Sequence, residues 1–415
     1  MGDHRYALSG ATLVTPDEIH PNSALTIADG HIVALGKQAR YALEMPDFLI
    51  FPGLINAHDH LNGTWWPRVA PNRPYVNVYQ WLADFDSSPV VAERKQNPVQ
   101  DIYELGMYRN LISGVTTVAD HFWRINGPEF YTRYPIHVLY EYGRTWTPRE
   151  LTTWGGDVPT EYGHAVRNGQ PYIIHLAEGL DDQVAAEMDV LLEYDALGRN
   201  TLAIHGIALR PNDMQLIAQA GASVCLCPGS NMYLYEQTAN AVALMQAGVH
   251  LTLGTDSVLT GGLNILDEIR IGRRVFGEQM GQLPSARWLV ELVTTGAAYS
   301  LMLQNRRGRI APGYEAYLLV VPDRYSDPYE AVVQADVGDI ALLVCAGAPV
   351  YGDAEYVDLF EQFGSGFMPV SIDGKAKLLA GDLLTLLERM STIVGRDLDL
   401  PFLGLSAKCP KICKH

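Results

Sequence analysis

Positive charge is scarce in this 415-residue chain. Thirty Lys and Arg residues stand against 47 Asp and Glu, giving a formal net charge of −17. No run of Lys or Arg is long enough to grip phosphates, so nucleic acid and anionic membrane surfaces are not expected partners. Cysteine is sparse as well. Cys225, Cys227, Cys345, Cys409 and Cys413 are odd in number and too few to frame so large a chain with disulfides. Three of the tail residues, Cys409, Cys413 and His415, cluster in "AKCPKICKH". Free thiols on a frayed terminus are expected there rather than a metal site. Long apolar runs are missing: no stretch reaches the roughly 18–20 residues of a membrane helix. The opening "MGDHRYALSG" is charged and leads into no apolar core, so no secretory leader is expected. The expectation is a soluble, cytoplasmic protein.

What the chain does have is alternation. Residues 5–50 run through short β-rich segments and turns, and a similar texture returns in "GRIAPGYEAYLLVVP" and "IALLVCAGAPVYG". Between them, apolar strand candidates such as "FLIFPGLINAH", "GVTTVADHF", "PYIIHLAE", "TLAIHGIAL" and "VHLTLGTDS" are separated by helical patterns. Repeated β–α alternation over about 250 residues points to a parallel sheet, and at this length to a (β/α)8 TIM-like barrel. Seven strands are clear. An eighth is expected within 143–170, around "LTTWGG", where the signal is weak and one βα unit reads as trimmed. The expected organisation is a small β-sandwich domain from residues 1–50 and 306–352, a barrel over 51–305, and a C-terminal helical appendage over 353–415. The last rests on "KLLAGDLLTLLERMSTIV".

The strand ends carry the chemistry. In "FPGLINAHDHLNG", His58 and His60 are two apart, so along an extended strand they face one way and Asp59 the other. His175 ends "PYIIH", His205 ends "TLAIH" and Asp256 ends "VHLTLGTD". A single histidine after a strand is usually a structural residue, and a single Asp in "GTDS" is usually a cap. Five such groups at the ends of strands in one barrel fall together at one face. Neutral imidazoles and carboxylates are ligands for Zn²⁺ and Fe²⁺ without help from thiolates. Glu178, three residues after His175, has the wrong offset for the same strand face. It reaches the site if the strand ends at His175 and the chain curls back.

The motifs "PGLINAHDHL", "HLAE", "IHGIAL", "CPGSN" and "LGTDS" come in an order and spacing that resembles the amidohydrolase superfamily. The branch it looks like comprises the cytosine deaminases, the atrazine and melamine chlorohydrolases and the S-adenosylhomocysteine deaminases. The resemblance covers roughly residues 5–352. It implies that His58, His60, His175 and Asp256 bind one divalent metal, Zn²⁺ or Fe²⁺. It implies that Glu178 shuttles protons and that His205 orients the attacking water or polarises the substrate, with Asp256 taking the water's proton. Asn231 in "PGSN" matches a family position without an assigned role. Members with two metals bridge them with a carboxylated lysine on a middle strand, and this chain has no lysine between Lys95 and Lys375. One metal is therefore expected, and Glu141 is read as packed or pocket-lining rather than bridging. The other zinc deaminase architecture needs an H-x-E histidine and a P-C-x-x-C pair. No matching H-x-E is present, and Cys225 and Cys227 read as small buried strand residues.

The segment after His60, "LNGTWWPRVAPNRPYVNVYQWLADFD", is rich in Trp, Tyr and Pro and is expected to wall the pocket. Trp65, Trp66, Arg68 and Tyr75 are its candidate substrate contacts, and the strand-end His121 is another. The activity implied is hydrolytic deamination of a small N-heterocycle. The alternatives are hydrolysis of a cyclic or acyclic amide on the same scaffold, and a catalytically silent relative that only binds. Paired subunits are common among such barrels, so a homo-oligomer is an expectation by analogy.

Overall fold

A computed structural model describes residues 5–37, 39–69, 74–122, 127–149 and 155–405. Both ends of the chain build one mixed sheet of ten strands. Its seam is the antiparallel pair Phe48–Pro52 and Leu318–Pro322, in the register Ile50↔Val320. Successive strand residues point to opposite faces, and here both faces are buried. Ile50, Leu318, Val320, Leu342 and Val344 pack into one apolar core with Tyr6, Leu8 and Phe360. Their neighbours Leu49, Phe51, Leu319, Val321 and Leu343 belong to the large core of the central region. The terminal sheet is thus a floor against which the central region is fixed.

Among the described residues, the central region has eight short parallel strands. They are β1 (Leu54–Asp59), β2 (Val115–Asp120), β3 (His137–Leu139), β4 (Gly143–Thr145), β5 (Tyr172–Leu176), β6 (Thr201–His205), β7 (Ser223–Leu226) and β8 (His250–Leu253). Strands β1–β2–β3 form one sheet and β4–β5–β6–β7–β8 another. The two meet beyond the end of β8, where Asp256 bridges Asp59 in parallel and its N–H donates to His58 O at 3.1 Å. Strands such as "YIIHL" and "TLAIH" are buried throughout, as parallel strands covered on both faces require. Ile55, Ala57, Ala119, Ile173, Leu202, Ile204, Cys225 and Cys227 form a core of their own among the strands. The three cysteines Cys225, Cys227 and Cys345 are free and buried.

Two expectations change. The weak strand is Gly143–Thr145, ahead of "LTTWGG", whose residues 151–154 lie outside the described residues. Only three residues separate β3 from β4, whereas a parallel crossover needs a dozen or more. The chain therefore passes directly from one sheet to the other. Gly143 is required where the helix Val158–Asn168 presses on β4, since a Cβ there would lie 2.3 Å from Glu161 O.

Residues 353–405 are not a helical appendage. The strands Phe367–Ile372 and Lys375–Ala380 form a hairpin that extends the ten-stranded sheet. Its turn is Asp373–Gly374, both at positive φ, the Asp-Gly preference of a tight hairpin. The apolar run read as one helix is split by Gly381 at φ 89°. Only after it does the helix Leu383–Val394 begin, capped by Asp382, whose side chain accepts from Thr385 N. The tail metal site considered for Cys409, Cys413 and His415 lies outside the described residues. Among the described residues, no helix is long and apolar enough to cross a membrane.

Candidate active site

Four buried side chains, His58, His175, His205 and Asp256, hold one donor atom each within 4.8 Å of one another. His60 is a near neighbour of this cluster. Its Nε2 lies 3.1 Å from Asp256 Oδ1, and His58 Nε2 lies 3.4 Å from the same oxygen. Asp59 faces away, accepting from Asn56, Asn110 and Arg109. The i, i+2 reading of the histidine pair therefore describes its geometry. The Arg109 pair is fully buried, and it anchors the strand end behind the two imidazoles.

Three histidines have their tautomers set by a neighbour. Nδ1 of His60 sits 2.8 Å from His121 O, Nδ1 of His175 3.0 Å from Trp146 O, and Nδ1 of His205 2.7 Å from Asn231 Oδ1. A carbonyl partner makes each Nδ1 the donor and leaves Nε2 with its lone pair. Asn231, unassigned from sequence, orients His205 while donating its amide to Thr238. His58 differs: both of its ring nitrogens are buried without a hydrogen-bond partner. Burial pushes its pKa down to about 3, so its ring is neutral. Burial also holds His175 well below the usual histidine range. Burial opposes ionisation of Asp256, but its close contacts with His58 and His60 outweigh it and keep the carboxyl well below its ordinary value. The neutral rings of His58 and His175 beside an ionised Asp256 are protonation states that a metal requires, and the unpartnered nitrogens of His58 fit a metal donor.

Glu178 does curl back. Ala177 before it adopts φ 54°, a left-handed conformation that costs a non-glycine residue about 1–3 kcal/mol. His205 and Asp256 also have positive φ, 73° and 54°. At three strand ends, then, backbone strain turns a side chain toward one point. Glu178 Oε1 accepts from Tyr235 OH at 2.7 Å, and its Oε2 is 3.5 Å from His205 Nε2. Burial, chiefly, raises its pKa, which favours a carboxyl able to hold and return a proton.

These groups open into a cavity of about 300 Å³. His60, His175, Glu178, His205 and Asp256 line its floor, and Trp81, Phe85, Phe122, Trp146 and Leu259 line its walls. None of the expected substrate contacts lines it. Trp65 is fully buried, its indole N–H donating to Glu93. Tyr75 is buried and donates to Asp84. Arg68 stacks over Tyr233, and Trp66 packs on the main core. His121 is buried with Nε2 on Thr145 O, and it serves the site through its own carbonyl. Glu141 is exposed, neither bridging nor lining the cavity. The right segment supplies the wall through different residues. Val78, Trp81, Leu82 and Phe85 recur at helical spacing after the cap Asn77, a pattern readable from "NVYQWLADF".

The wall helix touches the Glu178 loop at Gly179, which has φ 148° and whose added Cβ would meet Asn77 Cα at 2.6 Å. Gly179→Ala is expected to destabilise the fold by about 1–3 kcal/mol through backbone strain and to lower activity. Denaturant unfolding and a kinetic assay measure the two effects.

Comparison with known proteins agrees with the resemblance drawn from the motifs. Residues 163–350 match the Amidohydrolase family. A 5-methylthioadenosine/S-adenosylhomocysteine deaminase of Halobacterium salinarum is 25% identical over 421 aligned positions, covering 87% of this chain and 95% of that protein. A protein of the same name from Natronomonas pharaonis is 28% identical over 367 positions, covering 76% and 83%. Among solved structures, a zinc-bound adenosine deaminase from Xanthomonas campestris shares the fold with a TM-score of 0.75 at 17% identity, covering 93% of this chain and 97% of that one. A zinc complex of atrazine chlorohydrolase from Arthrobacter aurescens superposes with a TM-score of 0.72 at 16% identity, covering 94% and 99%.

Proposed function

We propose that this chain, similar to the amidohydrolases, deaminates an adenine nucleoside bearing a 5′-thioether, using water activated by one bound metal. The observation that carries the reading is the cluster itself. The neutral rings of His58 and His175, an ionised Asp256 and a Glu178 of raised pKa stand together at the strand ends. The eight strands are read as a (β/α)8 barrel, closed at Asp59 and Asp256 and trimmed between β3 and β4.

His58, His60, His175 and Asp256 would hold the metal, and Zn²⁺ suits three imidazoles and a carboxylate. The ion, when bound, lowers the pKa of water from 15.7 to roughly 7 and so supplies a nucleophile at neutral pH. Asp256 accepts the proton that water gives up. Glu178 delivers a proton to the ring nitrogen beside the attacked carbon, so that a C–O bond forms without building charge on the ring. His205 has its Nδ1 hydrogen committed to Asn231. Its Nε2 therefore keeps a lone pair, which accepts a hydrogen bond from the attacking water and orients it. The proton held by Asp256 then passes to the departing amine. The C–N bond breaks and ammonia leaves, and the added hydroxyl returns its remaining proton to Glu178 as it becomes the carbonyl.

The walls suit such a substrate. A cavity of about 300 Å³ sits at the small end of ligand sites. Trp81, Phe85, Phe122 and Trp146 offer aromatic faces to a planar base, and the names of the curated relatives support an adenine thioether. The test is to offer 5′-methylthioadenosine, S-adenosylhomocysteine, adenosine, guanine, cytosine and a triazine while following ammonia and the ultraviolet change of the base. The two thioethers are expected to be turned over with the highest kcat/KM. Preference for the triazine, with chloride or amine displaced, would overturn the substrate assignment.

A further inference from the structure

Residues 76–78 and 178–180 form a small antiparallel patch. Val78 N–H donates to Glu178 O at 3.1 Å, Leu180 N–H donates to Val76 O at 2.7 Å, and Asn77 bridges Gly179. Asn77 Nδ2 adds a bond to Asp181 Oδ2 at 2.7 Å. The helix that walls the cavity is therefore tied to the loop that carries the proton-transfer carboxylate.

Beneath the patch lies a second buried acid that the chemistry above does not use. Glu187, at the start of the helix Glu187–Glu193, is 1% exposed. Its Oε1 accepts the Tyr79 hydroxyl at 2.6 Å, and its Oε2 accepts the Ala177 N–H at 2.8 Å. Tyr79 belongs to the wall helix, between Val78 and Trp81, and its hydroxyl is also 3.1 Å from Thr147 Oγ1. Ala177 is the strained residue whose φ of 54° aims Glu178. A buried carboxyl is costly unless its oxygens are bonded, and each oxygen here is bonded to a different part of the site. No cation is paired with it within salt-bridge distance among the described residues. Its direct polar contacts are the two hydrogen bonds to Tyr79 and Ala177.

We propose that Glu187 is a positioning residue that couples the substrate-facing helix Val78–Phe85 to the direction of Glu178. A base seated against Trp81, Leu82 and Phe85 presses on the helix. The link Tyr79–Glu187–Ala177 transmits that position to the backbone from which Glu178 projects. The inference rests on the deaminase reading, in which Glu178 moves the proton.

The experiment compares wild type, Tyr79→Phe, Glu187→Gln and the double variant by kinetics and by amide hydrogen exchange. Exchange is read over residues 76–85 and 176–181. Tyr79→Phe removes only the hydroxyl on the helix side. Coupling predicts that it nevertheless raises exchange in 176–181 and lowers kcat by about tenfold, the size of one lost hydrogen bond to a charged group. The double variant is then no slower than Glu187→Gln alone, because both substitutions cut one link. The proposal is overturned if Tyr79→Phe loosens only 76–85 and raises KM with kcat unchanged, or if the two effects multiply. Should Glu187→Gln fail to fold, Tyr79→Phe alone decides. If wild type releases no ammonia, the deaminase reading fails while the exchange data still settle the coupling.

Discussion

Glu178→Gln lowers kcat about 10²–10⁴-fold, the usual contribution of a positioned proton-transfer group. Glutamine has the shape of the carboxyl and still accepts the Tyr235 hydroxyl that now lies 2.7 Å from Oε1. It has no proton to give to the ring nitrogen. Metal content, unfolding midpoint and KM should therefore stay near wild type while turnover collapses. The pH profile supplies a second check. Burial raises the Glu178 pKa, the Asp256 charge adds to that, and His205 and Tyr235 oppose it. The protonated form is the one that acts as acid, so wild-type kcat falls as pH rises through that raised pKa. The variant loses this limb. A Glu178→Gln enzyme within tenfold of wild type would remove Glu178 from the chemistry.

His58→Ala produces a comparable loss by a different route. His58 is completely buried, and neither of its ring nitrogens has a hydrogen-bond partner. It is also held neutral, its pKa pushed down to about 3 by burial. Such a side chain is expensive to bury unless something binds it. The substitution leaves Asp256 with His60 alone on its Oδ1, and bound metal per chain should fall well below one. At neutral pH, water of pKa 15.7 supplies roughly 10⁸-fold less hydroxide than water of pKa about 7, so turnover should fall below about 10⁻³ of wild type. Metal analysis and ammonia release on the same sample measure both effects. Full turnover without metal would contradict the assignment.

The strand ends are legible in the sequence because each follows a short run rich in apolar residues and ends on one ligand-type residue. "PYIIH", "TLAIH" and "VHLTLGTD" need no partner strand to be recognised. Glu178 was legible through a conflict: three residues past His175 it could not share the strand face, and Ala177 resolves this with its left-handed backbone. The wall of the cavity was misread for a physical reason. Trp65, Trp66 and Tyr75 are the conspicuous aromatics of their segment, but large aromatics fill cores, and Trp65 and Tyr75 are buried with their polar atoms bonded to Glu93 and Asp84. The helix that faces the cavity was encoded more quietly, in a cap and four apolar positions.

Partners distant in sequence were not readable at all. Asn231 meets His205 across 26 residues, Tyr235 meets Glu178 across 57 and Tyr79 meets Glu187 across 108. No local pattern records such pairs. The C-terminal region shows the opposite case. Gly381 and Asp382 mark a strand end and a helix cap within one apolar run, and the helical spacing of the run as a whole masks them.

The most direct test of the account is the ammonia released per 5′-methylthioadenosine consumed by protein of measured metal content. The account predicts one ammonia for each carbonyl product formed, about one metal per chain, and loss of both activity and ammonia when the metal is stripped. Metal-loaded protein that leaves every amino-heterocycle intact, or that opens a ring and keeps the nitrogen, would contradict it.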